Sequence, residues 1–148
     1  MEIIARWHSR SEEETRQWGE RLARDFLRPG DLVIVAGELG VGKTQLVKGI
    51  ARGLGLQEEI KSPSFSLIHE YKKGDFTFYH LDFYRLEEEE EVVDLGWEEY
   101  REDEKGIMVI EWGDKFPTLF SPPLFLIRLS YGNGEQRDIE VYYDSCSG

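Results

Sequence analysis

Gly37-Glu38-Leu39-Gly40-Val41-Gly42-Lys43-Thr44 satisfies the pattern G-x-x-x-x-G-K-[ST] at every fixed position. Such a loop works only when it joins a buried strand to a helix, so it constrains the fold more than any other segment of the chain. The flanks agree. Leu32-Val33-Ile34-Val35-Ala36 is a short apolar run suited to a buried strand, and Gln45 to Ala51 carries apolar residues at helical spacing. Glycines let backbone N–H groups converge on phosphate oxygens with no Cβ in the way. The helix opening at Thr44 adds its positive end to the same point. Lys43 would reach the β- and γ-phosphates, and the Thr44 hydroxyl would ligate Mg²⁺. Gly37, Glu38, Leu39, Gly40, Val41, Gly42, Lys43 and Thr44 are therefore the expected nucleotide cradle.

With 148 residues the chain reads as one domain spanning 1–148, large enough to bury a core without disulfides or a structural metal. Its only cysteine, Cys146, excludes a disulfide framework and suits the cytoplasm. No apolar run approaches the ~20 residues of a membrane span, and the N-terminus has no basic-then-apolar leader pattern, so no membrane association is expected. The net charge of −12 bears on partners. Nucleic-acid binders neutralise phosphates with clustered Lys and Arg, and here such residues have acidic neighbours. Any nucleic acid in this protein's pathway is expected to be held by a partner.

Glu2 to Trp7 reads as an edge strand. Ser11-Glu12-Glu13-Glu14 is a capping-box signature opening a helix with Trp18, Leu22 and Phe26 on one face. Ser66 to Tyr71 and Phe76 to Leu81 flank Lys72-Lys73-Gly74-Asp75 as a hairpin. The acidic run Glu87 to Glu91 suits a solvated first helical turn. Ile107 to Ile110 is a second buried strand, and Leu124 to Leu129 pairs with Ile139 to Tyr143 across Gly132-Asn133-Gly134. The fold class is α/β: a single P-loop NTPase domain in three layers, α/β/α, with a mixed sheet and antiparallel C-terminal strands.

Hydrolysis or phosphoryl transfer needs acidic groups near the metal as well as a cradle. Glu111 directly follows the Ile107–Ile110 run, and Asp82 follows Phe78-Tyr79-His80-Leu81. One would hold Mg²⁺ while the other orients the attacking water. Ser64, in Ser62-Pro63-Ser64-Phe65, offers a hydroxyl of the kind switch segments use. Trp112 would either stack at the site or simply pack. His69 and His80 lack metal-ligand spacing with Cys or each other, which disfavours zinc. An Asn-Lys-x-Asp segment is absent, which disfavours guanine and leaves ATP as the expected nucleotide.

Together these blocks resemble the TsaE family (also called YjeE) of small P-loop ATPases. The resemblance runs through the loop, Ser62-Pro63-Ser64-Phe65, His80-Leu81-Asp82-Phe83-Tyr84-Arg85, Leu95-Gly96 before Glu99-Tyr100, and Glu111-Trp112, in that order over most of the chain. It implies ATP binding and hydrolysis in support of N6-threonylcarbamoyladenosine formation at position 37 of tRNAs that read codons starting with A. TsaD and TsaB are the implied partners, with tRNA contacted only through them. It further implies that Lys43, Asp82 and Glu111 form the catalytic set, with Glu111 and Thr44 on the metal and Trp112 a functional aromatic beside the site. Thr15 would lie toward the adenine, and Arg137 is the candidate C-terminal nucleotide contact. The family's usual Thr is Ser64 here, which keeps the hydroxyl and loses a methyl. A small-molecule kinase is the alternative, and a basic lid would mark it; a non-catalytic nucleotide-controlled module is a third reading.

Overall fold

Ser11 has extended dihedrals, and its hydroxyl accepts from Glu14 N at 3.1 Å, which starts α1 (Glu12–Asp25). The Glu14 carboxylate closes the box one residue further out than expected, accepting from Arg10 N at 2.9 Å. A glutamate side chain is long enough to span that extra residue. The structure, a computed structural model, describes residues 1–63 and 66–145. Ser64, Phe65 and Cys146 lie outside the described residues.

The other elements are β1 (Glu2–Ser9), β2 (Leu32–Ala36), α2 (Lys43–Gly53), β3 (Ile68–Lys73), β4 (Phe76–Asp82), α3 (Glu89–Asp94), α4 (Trp97–Arg101), β5 (Gly106–Glu111), β6 (Leu124–Tyr131) and β7 (Arg137–Asp144). All strands join one seven-stranded sheet in the order β1-β7-β6-β2-β5-β4-β3. The centre, β6-β2-β5-β4, is parallel, while β1, β7 and β3 add antiparallel edges. Every residue of β2 and β5 is buried, as parallel strands covered on both faces require.

Period-two alternation divides the core between the two faces. Val33, Val35, Val109 and Ile127 pack under α1 and α2. Leu32, Ile34, Leu81 and Met108 pack against Phe83, Leu86, Val92, Trp97, Phe116 and Phe120, which belong to short helices and turns. The expected three layers are present, and the second helical layer is thin. The two long helices meet at glycines: a Cβ on Gly49 would fall inside the Arg16 carbonyl, and one on Gly19 inside that of Leu46. This close approach brings the start of α1 beside the phosphate loop.

Candidate functional site

β2 ends at Ala36, the loop turns over the carboxyl end of the sheet, and α2 begins at Lys43 with Gly42 as N-cap at φ +115. That left-handed conformation is why a glycine is needed there. A cleft of about 540 Å³ opens above it, lined by the loop and by Thr15, Asp82, Tyr84, Arg85, Glu111, Trp112 and Arg137 among others. It lies where open α/β sheets bind their ligands, beyond the carboxyl ends of parallel strands.

Lys43 is 5% exposed, and its ammonium donates to Gly37 O at 2.6 Å and Glu38 O at 2.8 Å. It also sits 4.1 Å from the centre of the Trp112 ring. Burial pushes the Lys43 pKa down, opposed by the charges of Glu111, Asp114 and Asp82. Trp112 has φ +64, a conformation a bulky residue adopts only when its surroundings impose it. Its N–H bonds Val35 O at 3.2 Å, and its ring rests 5.1 Å from that of Tyr84. The backbone turn after β5 thereby aims the indole at the loop lysine.

The Thr44 hydroxyl donates its one proton to the Glu111 carboxylate, lying 3.1 Å from each oxygen, although the two residues are far apart in sequence. Parallel pairing of β4 with β5 sets Asp82 opposite Glu111. Asp82 accepts from Tyr84 N at 2.9 Å, and burial raises its pKa, with that hydrogen bond opposing and Glu111 reinforcing the rise. Thr44 and Glu111 offer a hard all-oxygen donor set at the mouth of a phosphate loop. This fits Mg²⁺, which takes one or two protein groups and completes its shell with phosphate and water. Among the described residues no group of three or more His, Cys, Asp or Glu could hold a metal by itself.

Thr15 lines the cleft, but its hydroxyl is shared with Ser9 Oγ at 2.7 Å and Ser11 O at 3.2 Å. Arg137 also lines it, with Nε on Val41 O at 2.9 Å and the guanidinium 4.5 Å from the centre of the Tyr131 ring. Both side chains are held by protein groups in this arrangement. Leu39 and Glu38 are exposed on the loop's outer side. Two further residues join the site beyond those expected from the sequence. His80 bonds Glu111, and Tyr131 donates to Leu39 O at 2.8 Å. His80 had a signal, because alternation on β4 turns it to the same face as Asp82; Tyr131 is 92 residues from Leu39, and its contact left no local trace.

A fully matched phosphate loop between a central parallel strand and its helix, with two carboxylates from adjacent strands at its mouth, defines a P-loop NTPase fold. The family model described as "Threonylcarbamoyl adenosine biosynthesis protein TsaE" matches residues 9–139. Proteins named "tRNA threonylcarbamoyladenosine biosynthesis protein TsaE" are similar to this chain. The one from Treponema pallidum is 46% identical, covering 72% of this chain and 77% of its own. The one from Nostoc sp. is 39% identical (85% and 78%), and the one from Bacillus subtilis 35% (90% and 82%). The crystal structure of YdiB from Bacillus subtilis superposes with a TM-score of 0.80 at 28% identity, covering 100% of this chain and 89% of that one. The chain belongs to the TsaE family. Among the described residues no helix is long and apolar enough to cross a membrane.

Proposed function

We propose that this protein binds Mg·ATP and hydrolyses it in support of threonylcarbamoyladenosine formation on tRNA, acting in the cytoplasm with TsaD- and TsaB-type subunits. The supporting observation is the convergence of Lys43, Thr44, Glu111 and Asp82 at one end of the sheet, in a chain whose named relatives belong to that pathway. In this reading the loop amides and Lys43 take the β- and γ-phosphates. The Lys43 ammonium leaves its two loop carbonyls for the more strongly charged acceptor. Thr44 and Glu111 would hold Mg²⁺, which when bound neutralises charge developing on the phosphate oxygens. Asp82 orients the attacking water and accepts its proton, a task suited to a carboxylate whose pKa burial has raised. Trp112 covers the phosphate end, while Thr15 and Arg137 border the nucleoside end. Ser64 would contribute its hydroxyl as the switch residue. The kinase alternative loses ground because Leu124–Tyr131 and Arg137–Asp144 are sheet strands and not a basic lid.

Calorimetric titration with Mg·ATP tests the reading. The wild-type chain should bind, and Lys43→Ala should bind at least about tenfold more weakly, the worth of a charged hydrogen bond. Hydrolysis should be slow alone and rise when TsaD and TsaB homologues are added. Absence of any nucleotide binding, alone or with those subunits, would overturn the proposal.

A further inference from the structure

His80 has no exposed surface, yet its imidazole carries one strong polar contact: Nε2 lies 2.6 Å from Glu111 Oε2. A carboxylate oxygen accepts, so Nε2 is the donor and the ring is held in the tautomer that keeps a proton there. The other nitrogen, Nδ1, is buried with no hydrogen-bond partner. The Phe78 ring is 6.5 Å away on the same face of β4. A side chain serving only as buried filler has no need of a polar ring, since Phe or Leu would pack without an unpaired nitrogen. The whole polarity of the ring is directed at one oxygen of Glu111.

That oxygen matters because Glu111 has a competing attraction. Lys43 is close enough for its pKa to feel the Glu111 charge, yet Glu111 is paired with His80 and Thr44 instead. A glutamate freed from β5's interior could rotate toward the ammonium. It would then occupy the cation that the phosphates need and withdraw its oxygens from Thr44. We infer that His80 is a positioning residue: its Nε2–H fixes the Glu111 carboxylate beside Thr44, keeps it off Lys43, and so sets the affinity of the site for the nucleotide-bound divalent cation. This rests on the Mg·ATP reading above.

The test compares His80→Phe, which keeps a planar ring without the donor, with His80→Gln, whose terminal amide reaches about as far as Nε2. His80→Asn, whose amide matches Nδ1 instead, is the control. Nucleotide affinity is measured by calorimetry over a magnesium series and with chelator, alongside kcat and KM. The gain in ATP affinity on adding magnesium should fall by about 10–100-fold in His80→Phe and His80→Asn, the range seen when a ligand's supporting partner is removed. His80→Gln should recover most of it, and affinity in chelator should fall by a smaller factor in His80→Phe and His80→Asn, as the freed Glu111 competes for Lys43. In the ligand-free protein, the proton spectrum should show an exchange-protected Nε2–H that His80→Phe lacks. A magnesium gain preserved in His80→Phe, or an Nε2 found to carry no proton, would overturn the inference and leave the ATPase reading standing. If His80→Phe does not fold, equal magnesium gains in His80→Gln and His80→Asn would overturn it. Wild-type protein that binds no Mg·ATP would remove the functional reading and the inference together.

Discussion

At Asp82 the demands of stability and of the proposed chemistry pull apart. The residue is 5% exposed, and burial holds its pKa above the ordinary value of 3.8. A carboxyl with a raised folded pKa binds its proton more tightly folded than unfolded, so its ionisation weakens the fold as pH rises through that interval. Asp82→Asn keeps an oxygen for Tyr84 N and removes the charge. It should therefore be more resistant to urea than wild type at neutral pH, with the advantage closing as pH falls toward 3.8. Turnover should be lost across the whole range. Equal urea midpoints at neutral pH would show that the surroundings already compensate the buried charge. Trp112 belongs to the same pattern: a left-handed non-glycine residue costs on the order of 1–3 kcal/mol, tolerated where the indole meets Lys43.

At the scale of elements, the α1–α2 pair holds the site's near wall. Gly19, Gly49 and Gly53 let the helix backbones approach so closely that an added Cβ would meet backbone atoms. Gly49→Ala raises intrinsic helix propensity, which on an isolated helix would stabilise it by about 1 kcal/mol. Here the steric term wins, because backbone carbonyls cannot rotate aside as a flexible side chain can. We expect a loss of about 3 kcal/mol in denaturant titration. Since Ser11, Glu12 and Thr15 border the cleft, any surviving folded fraction should also bind nucleotide more weakly. Unchanged stability would mean that the helices can part without loss.

For the whole molecule, the acidic balance decides what it can bind unaided. A net charge of −12 opposes association with a polyanion, and it leaves few counterions to release. Gel-shift titration of the isolated chain with tRNA at ~0.15 M salt should give a dissociation constant weaker than about 10 μM. Tight binding with a steep salt dependence would place tRNA directly on this protein and remove the need for a carrier subunit.

Much of the fold is legible in local pattern because its signals are local. The phosphate loop dictates strand, turn and helix within twenty residues or so; Ser11 caps α1; Gly74 turns the β3–β4 hairpin; and unbroken apolar runs mark β2 and β5 as buried on both faces. Asp82 and Glu111 could be named as acids ending strands, but not as neighbours. What makes them neighbours is the parallel register of β4 with β5, formed between segments separated by two short helices. The same holds for Thr44 with Glu111, for Tyr131 on the loop carbonyl of Leu39, and for His80 behind Glu111. Local pattern is enough to say which backbone would cradle phosphate, since hydrogen-bond geometry and glycine's freedom act over a few residues. Which side chains surround that cradle is a property of the assembled sheet, because strand order and register depend on how both faces are buried at once.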